Sequence, residues 1–256
     1  MDYFSKLTRL CSRAKRIAGV KYSYRASIPK MSATEPAGQG FFSRIPGSSI
    51  PINEHPSANK ALYNEWAASY DADLTDPSQG YVGPLEAAKA ISEAGSFTSS
   101  PNDPALVLDA GCGTGLSGIA VQLQLGKETV IDGIDISEGM LAVAAKTGVY
   151  RNLTPTDLSQ PFANIASDTY NVVVCVGTLT AGHVPPSPAL EEFARVCKPQ
   201  GLVVATVKES VWSSGGYEAE VQRLANEGLV EIVGTGLRPY RQGQGVEAVM
   251  LVMRRR

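Results

Sequence analysis

Apolar and polar positions follow two different periods along this chain of 256 residues. From residue 105 onward, short apolar runs typical of buried strands alternate with segments in which apolar residues recur every three or four positions, as in amphipathic helices. The predicted strands are 105–109, 129–135, 149–153, 170–176, 202–207, 229–233 and 246–253, and the predicted helices between them are 115–125, 138–147, 188–196 and 217–227. This alternation predicts parallel strands joined by right-handed crossovers.

The last two predicted strands differ from the others, because only a Gly/Pro-rich connection lies between them. Without a helix to carry the chain back, we expect them to pair antiparallel, as a hairpin at one end of the sheet. The predicted fold class is therefore α/β. It is a Rossmann-like sheet of seven mostly parallel strands with a terminal antiparallel hairpin, preceded by N-terminal helices.

The two predicted N-terminal helices lie between residues 57 and 95. The first is capped by Ser57 and runs to about Tyr70, with Leu62, Trp66 and Tyr70 on one face. The second covers residues 85–94 and ends at the next residue, a glycine. We expect these helices to form a lid over a modest pocket.

The start of the chain has a different charge from the rest. Residues 1–30 contain eight basic residues and one acidic residue, whereas the remainder contains 15 basic and 24 acidic residues. Residues 31–56 are rich in Ser, Pro and Gly, which is typical of a linker. We therefore expect a flexible basic extension and linker over residues 1–56 and the main domain over 57–256. The basic start is compatible with a mitochondrial transit peptide, an anionic membrane surface or a simple tail.

Composition and charge exclude several classes of protein. The chain is 43% hydrophobic and 19% charged, so it is not predominantly disordered, and it has no apolar run long enough for a transmembrane helix. Its four cysteines are scattered and lack the spacing of a disulfide framework or a metal site, which favours a reducing compartment. We expect a cytoplasmic protein, or a mitochondrial one if residues 1–30 are a transit peptide. The acidic body argues against a nucleic-acid partner.

A glycine-rich turn carries the main functional signal. The first predicted strand runs directly into Asp109-Ala-Gly-Cys-Gly-Thr-Gly115, and a helix follows. Glycines at 111, 113 and 115 allow conformations closed to other residues and let a nucleotide-like ligand approach the backbone. Gly113, Gly115 and Gly118 also fit the dinucleotide fingerprint G-x-G-x-x-G. However, a carboxylate at Asp109, inside the cradle, would repel a pyrophosphate and favour an ammonium group.

The complete turn resembles the first motif of the class I S-adenosylmethionine-dependent methyltransferases. Further segments resemble the Williams–Beuren-region methyltransferase-like group over about residues 60–253: 63–71, 133–141, 174–184 and 195–201. One departure is Gln200, which stands where the first glycine of a K-P-G-G turn is usual. The resemblance implies S-adenosyl-L-methionine as the cofactor and methyl transfer as the reaction.

The resemblance also implies roles for particular residues around the cofactor. Asp135 would accept the ribose hydroxyls, and the adjacent Ile136 would pack on the adenine. Asp157 would accept a hydrogen bond from the adenine amino group, and Leu158 would offer its backbone N–H. Tyr70 would touch the methionine end. The expected cofactor-binding residues are Tyr70, Asp109, Gly111, Gly113, Gly115, Asp135, Ile136, Asp157, Leu158 and Val176. No metal site is expected.

The catalytic signal is weaker than the cofactor signal. His183 follows the fourth predicted strand, where it could take a proton from an acceptor. We expect positioning of the acceptor to suffice instead, because the sulfonium already activates the methyl group. The leading hypothesis is a methyltransferase acting on a small molecule, with transfer to O, N, S or C by in-line displacement. The alternatives are an NAD(P)-dependent oxidoreductase and a protein that binds S-adenosylmethionine without methylating. The sequence does not indicate an oligomeric state.

Overall fold

A computed structural model describes residues 56–95 and 104–256 of the chain. Residues 1–55, which are all but the last residue of the expected extension at 1–56, and residues 96–103 lie outside these described residues. The described helices are α1 (Pro56–Trp66), α2 (Tyr70–Thr75), α3 (Gly83–Glu93), α4 (Leu116–Leu125), α5 (Glu138–Ala144), α6 (Pro186–Val196) and α7 (Tyr217–Asn226). The described strands are β1 (Leu106–Ala110), β2 (Val130–Asp135), β3 (Tyr150–Pro155), β4 (Tyr170–Leu179), β5 (Cys197–Lys208), β6 (Val230–Arg241) and β7 (Val246–Arg255).

The seven strands form one sheet in the order β3-β2-β1-β4-β5-β7-β6. The strands from β3 to β5 in this order are parallel to one another, and β7 runs antiparallel to both β5 and β6. This confirms the predicted α/β class, the seven strands and the antiparallel pair at one end. The carboxyl ends of β1, β2 and β4 lie side by side, which is where open α/β sheets bind their ligands.

Apolar side chains cover both faces of the sheet. One buried cluster joins β1, β4, β5 and β7 to α6 and α7, through residues such as Phe193 and Leu224. The other joins the opposite face to α3 and α4, through residues such as Ile91 and Val121. This double cover explains why the central strands are apolar at nearly every position, as expected for a parallel sheet buried on both faces.

The first predicted helix is divided in two, contrary to the sequence-based prediction. Helix α1 ends at Trp66, and Tyr70 begins α2 instead of continuing the face of α1. The buried carboxylate of Asp73 accepts hydrogen bonds from Trp66 Nε1 at 2.6 Å and from Ser69 Oγ at 3.2 Å. These two bonds hold the break between the helices, and periodicity alone does not reveal them.

The terminal hairpin is longer than predicted. Strand β6 has 12 residues, because most of the Gly/Pro-rich segment assigned to a connection pairs with β7. Its register shifts between Ile232 and Gly234 and again between Pro239 and Arg241, which accommodates the irregular residues. Strand β5 also begins earlier than expected, and Gln200 within it has a φ of 66°, in the left-handed region where glycine is usual.

Candidate functional site

The glycine-rich turn connects β1 to α4 and forms the floor of a cavity. Gly111, Gly113 and Gly115 have φ values of 72°, 54° and 98°, so all three occupy the left-handed region. The turn is fixed from behind, since the Ile134 carbonyl accepts the backbone N–H of Gly111 at 2.7 Å. A side chain at Gly113 would meet nothing within 4 Å, so the backbone there is open for a ligand to approach.

The end of β2 places Asp135 beside the glycine turn. Asp135 Oδ2 accepts the backbone N–H of Gly113 at 2.9 Å, and Oδ1 accepts that of Ser137 at 2.9 Å. Burial raises the pKa of this carboxyl above its ordinary value, and the backbone donors oppose that shift. These backbone donors do not use all of its acceptor positions, so the carboxylate can still receive hydroxyl groups of a ligand.

The first cavity, of about 680 Å³ including its open mouth, lies above the turn and brings most of the predicted cofactor residues together. Those in its wall are Tyr70, Gly111, Gly113, Asp135, Ile136, Asp157, Leu158 and Val176, and His183 joins them. The sequence analysis missed Asn59, Tyr63, Met140 and Thr178, which also line it. Two carboxylates face this space, and no Lys or Arg among the described residues lines it.

Asp109 and Gly115 do not line the cavity. The prediction that Asp109 stands inside the cradle is wrong, because its side chain is fully buried behind the turn. Its Oδ2 accepts hydrogen bonds from Ser117 Oγ and Tyr150 Oη, both at 2.6 Å, while Oδ1 has no partner. Gly115 and Gly118 pack against the Tyr150 ring. Gly118, the third glycine of the dinucleotide fingerprint, therefore packs against Tyr150 and does not line the cavity.

Burial raises the pKa of Asp109 to about 6, despite the hydroxyl donors that lower it. Between about pH 4 and 6, the folded protein holds a proton that the unfolded chain has lost, so the free energy of unfolding falls as pH rises. We expect Asp109→Asn, which never ionises, to gain stability over the wild type by about 2–3 kcal/mol between pH 4 and 7. Denaturant unfolding at a series of pH values measures this difference.

Asp132→Asn is the matched control for this measurement. Burial alone would raise the pKa of Asp132, but hydrogen bonds from Arg151 and Tyr170 lower it below its ordinary value. Its charged form therefore stabilises the fold above the pKa of the unfolded chain, and Asp132→Asn should lose stability relative to the wild type as pH rises. A pH-independent difference for Asp109→Asn would contradict the assignment of a destabilising buried charge.

Helix α1 spans the first cavity and is attached at both rims. On one side the buried Asn59 Nδ2 donates to the Gly182 carbonyl at 2.8 Å. On the other side Asn64 Oδ1 accepts Ser137 Oγ at 2.7 Å and Gly139 N at 2.9 Å. Of the two helices predicted to form a lid, α1 therefore lies over this cavity, whereas α3 packs against a face of the sheet beside α4.

A second cavity, of about 1030 Å³ including its open mouth, adjoins the first. Tyr63, Tyr70, Gly177 and His183 line both cavities and so form their common wall. The remaining wall is mixed: Trp66, Leu74, Leu179, Thr180, Thr206, Lys208, Tyr240, Arg241, Val246, Glu247 and Ala248. The two cavities are therefore immediate neighbours.

His183 is held by two hydrogen bonds. Its Nδ1 lies 2.9 Å from the Ala181 carbonyl, and its Nε2 lies 2.8 Å from Tyr63 Oη. Burial lowers the pKa of His183, which favours the neutral imidazole. The sequence analysis named His183 but not Tyr63, because the two residues are 120 positions apart.

The thiol of Cys175 faces neither cavity. Cys175 is fully buried in β4, and burial raises the pKa of its thiol, so it is no nucleophile. Across residues 56–95 and 104–256, no three His, Cys, Asp or Glu side chains are grouped as metal ligands would be. Within the same part of the chain, no helix is long and apolar enough to cross a bilayer.

This chain is similar to known methyltransferases in sequence. Residues 107–201 match a family described as a methyltransferase domain. Methyltransferase-like protein 27 of Homo sapiens is 33% identical over 173 residues, covering 66% of this chain and 67% of that protein.

Two solved structures share the fold. Magnesium protoporphyrin IX methyltransferase of Synechocystis, crystallised with S-adenosylhomocysteine, is 18% identical, with a TM-score of 0.52 and coverage of 77% and 100% of the two chains. The [4+2]-cyclase SpnF is 16% identical, with a TM-score of 0.59 and coverage of 82% and 99%. At these identities the two similarities establish the fold alone.

Proposed function

The chain belongs to the class I S-adenosylmethionine-dependent methyltransferases, and from this membership we propose that it methylates a small molecule bound in the second cavity. One observation carries this proposal: the two cavities share a wall. The cofactor supplies an activated methyl group on a sulfonium. The chain must hold the acceptor in line with that methyl group and exclude water.

The first cavity suits this cofactor because of its charge. S-adenosylmethionine carries ribose hydroxyls, an adenine and a positive sulfonium, but no phosphate. Two carboxylates, Asp135 and Asp157, face the cavity, and no Lys or Arg of the described chain lines it. A pyrophosphate there would meet negative charge without a compensating cation, whereas a sulfonium is favoured. Family membership and this charge pattern both disfavour the NAD(P)-dependent oxidoreductase alternative.

Each residue of the first cavity has a place in this proposal. Asp135 would accept the two ribose hydroxyls, and Ile136 would pack on the adenine. Asp157 already accepts Ser159 N at 2.9 Å and Ser159 Oγ at 2.7 Å through Oδ1, which leaves Oδ2 for the adenine amino group. The Leu158 backbone N–H would complete adenine recognition.

The methionine half of the cofactor would lie over the glycine turn. Gly111 and Gly113 would support it from below, the Val176 backbone from the end of β4, and Tyr70 from the start of α2. Asp109 and Gly115 would act indirectly, since they hold the turn against Tyr150 rather than face the cavity. These assignments give the cavity a polar end for adenosine and an aromatic end near the common wall.

A cofactor-binding measurement tests the first part of the proposal. We expect calorimetry on the full chain to detect S-adenosylhomocysteine binding, and NAD⁺ to bind at least about 100-fold more weakly, a difference of roughly 2.7 kcal/mol. The reason is the uncompensated repulsion between the cavity carboxylates and the pyrophosphate. Equal affinities, or binding of NAD⁺ alone, would contradict the assignment of the cavity.

The second cavity is the proposed acceptor site. Its wall combines the apolar Leu74, Leu179 and Val246 with the polar Thr206 and Lys208. Such a mixture fits a small molecule with an apolar body and a few polar groups. The acidic character of residues 31–256 continues to argue against a nucleic-acid substrate.

We also propose a reducing compartment, the cytoplasm, for this protein. Cys112, Cys175 and Cys197 are buried and unpaired. Unpaired thiols persist where glutathione keeps them reduced. The alternative of mitochondrial import rests on residues 1–30, which lie outside the described part of the chain.

A further inference from the structure

Tyr63 and His183 form a hydrogen-bonded pair in the wall between the two cavities. The pair joins two distant parts of the chain, because Tyr63 comes from the lid helix α1 and His183 from the loop after β4. Their ring centroids are 5.7 Å apart in an edge-to-face arrangement. The pair therefore lies where an acceptor in the second cavity would approach a methyl group in the first.

The direction of the hydrogen bonds follows from the chemistry of the atoms. The Ala181 carbonyl can only accept, so His183 Nδ1, at 2.9 Å from it, must carry the proton. In the neutral imidazole Nε2 is then an acceptor, and Tyr63 Oη must donate to it across 2.8 Å. The lone pairs of the Tyr63 oxygen remain available to a donor on its other side. An acceptor hydroxyl that reaches Tyr63 would complete a chain of hydrogen bonds ending at a base.

We propose that Tyr63 and His183 are a proton relay, and that the acceptor in the second cavity is a hydroxyl compound. This rests on the proposed function. As the acceptor oxygen takes the methyl group, the S–CH₃ bond breaks with its electron pair remaining on sulfur. The acceptor proton passes to the Tyr63 oxygen, and the Tyr63 proton passes to His183 Nε2. Tyr63 ends neutral, and the imidazolium later releases its proton to water.

The relay argues against acceptors that are already ionised. A hydroxyl is a weak nucleophile until its proton leaves, so a positioned base accelerates its reaction. A carboxylate is already ionised near neutral pH and a thiol partly so, and neither requires this arrangement. Trp66 and Tyr240, which line the second cavity, provide aromatic surface for the body of such a compound.

The charges around His183 keep it neutral and ready to accept a proton. Burial lowers its pKa, the hydrogen bond to the Ala181 carbonyl opposes this, and Lys208 at the end of β5 lowers it again. Burial is the main cause of the raised pKa of Tyr63, and Tyr240 of β6 and Asp135 of β2 raise this pKa further. At and above neutral pH His183 is therefore the free base, and Tyr63 keeps its proton.

The sequence alone predicts that positioning of the acceptor drives the reaction. What changes that expectation is the Tyr63–His183 pair, since a lone loop histidine gives no indication that its Nε2 is paired with a second proton-transferring group. The relay predicts that Tyr63 matters for turnover as much as His183 does.

The protonation state can be measured without an acceptor. The full chain has two histidines, so His55→Gln leaves a single imidazole for ¹⁵N NMR. With S-adenosylhomocysteine present at pH 7.5, we expect Nδ1 to carry the proton and Nε2 to be unprotonated. Tyr63→Phe should shift the Nε2 resonance. A protonated Nε2 in the neutral imidazole overturns the relay, because Tyr63 could then not donate to it.

The transfer step is measured with S-adenosylmethionine labelled in its methyl group and a panel of phenols, alcohols, amines, thiols and carboxylic acids. We expect label in hydroxyl compounds. Tyr63→Phe and His183→Ala should each lower kcat by about 10²–10⁴-fold with little change in KM. The loss should shrink as pH rises, because the hydroxyl then ionises without help. Tyr170→Phe is the matched control, since it removes a phenol that bonds to Asp132, away from both cavities, and it should keep full turnover.

The outcomes separate the relay from the proposed function. If the wild type fails to bind S-adenosylhomocysteine in calorimetry, the proposed function itself is wrong. If it binds, but label reaches no hydroxyl compound, the assignment of the acceptor class is overturned. If hydroxyl compounds are methylated and Tyr63→Phe loses less than about tenfold, or no more than Tyr170→Phe, positioning suffices and there is no relay.

Discussion

Asp135→Ala is expected to raise the dissociation constant for S-adenosylmethionine by about 10–150-fold. The proposed site gives this carboxylate the ribose hydroxyls, and hydrogen bonds to a charged group contribute about 1.5–3 kcal/mol. The substitution also removes the acceptor that holds the Gly113 backbone N–H at 2.9 Å, so the glycine turn loses a restraint. Calorimetry with S-adenosylmethionine and S-adenosylhomocysteine measures both affinities.

Two further variants serve as controls for this affinity measurement. Asp135→Asn keeps an oxygen for Gly113 but replaces the second acceptor by a donor, so we expect an intermediate loss of affinity. Asp132→Asn alters a carboxylate on the same strand that bonds to Arg151 and Tyr170, away from the cavity, and should leave binding unchanged. Wild-type affinity in Asp135→Ala would remove this residue from the site.

Gly118→Ala is expected to lower the free energy of unfolding by about 2–5 kcal/mol. A Cβ at this position would lie 2.5 Å from Cζ of Tyr150, closer than real contacts allow. The ring must move, at a cost of about 1–3 kcal/mol, and the hydroxyl then leaves the buried Asp109 carboxylate with fewer donors. Denaturant unfolding at pH 7 measures the loss.

A second variant, Tyr150→Ala, shows whether the Tyr150 ring causes the loss of stability in Gly118→Ala. Tyr150→Ala removes the ring that a Cβ at position 118 would meet. In this variant, Gly118→Ala should therefore lower the free energy of unfolding much less than it does in the wild type. Gly236→Ala on β6 is the matched control, because its Cβ would meet nothing within 4 Å and its φ is not in the left-handed region. Equal costs of Gly118→Ala in both backgrounds would show that Tyr150 is not responsible.

The sequence predicts the fold well where local pattern and topology agree. The glycines at 111, 113 and 115 lie between an apolar strand and a helix, and each adopts the left-handed conformation that such a turn requires. Alternating strands and helices bring Asp135 and Val176 to the same edge, since parallel strands share their carboxyl ends. The wall of the first cavity could therefore be outlined from motifs and order along the chain.

Contacts between distant residues could not be predicted in this way. Periodicity identifies the face of a helix that is buried, but not the atom it meets. Tyr150 and Asp109 are 41 positions apart in the sequence. The hydrogen bond between them holds the Asp109 carboxylate outside the cavity in which the sequence predicted it. Tyr63 and His183 are 120 positions apart in the sequence. The hydrogen bond between them gives the histidine in the loop after β4 a second proton-transferring group that the sequence did not predict.

The two edge strands of the sheet bear on self-association. An exposed edge offers unpaired N–H and C=O groups on which a second chain can add a strand, the first step towards aggregation. Strand β3 ends in Pro155, and β6 contains Pro239; both strands also carry a register shift against their inner neighbour. Proline has no N–H to donate, and a shifted register bends the edge away from a straight partner. Neither edge is therefore an uninterrupted template for another copy, although Val233 and Leu237 of β6 are exposed to solvent.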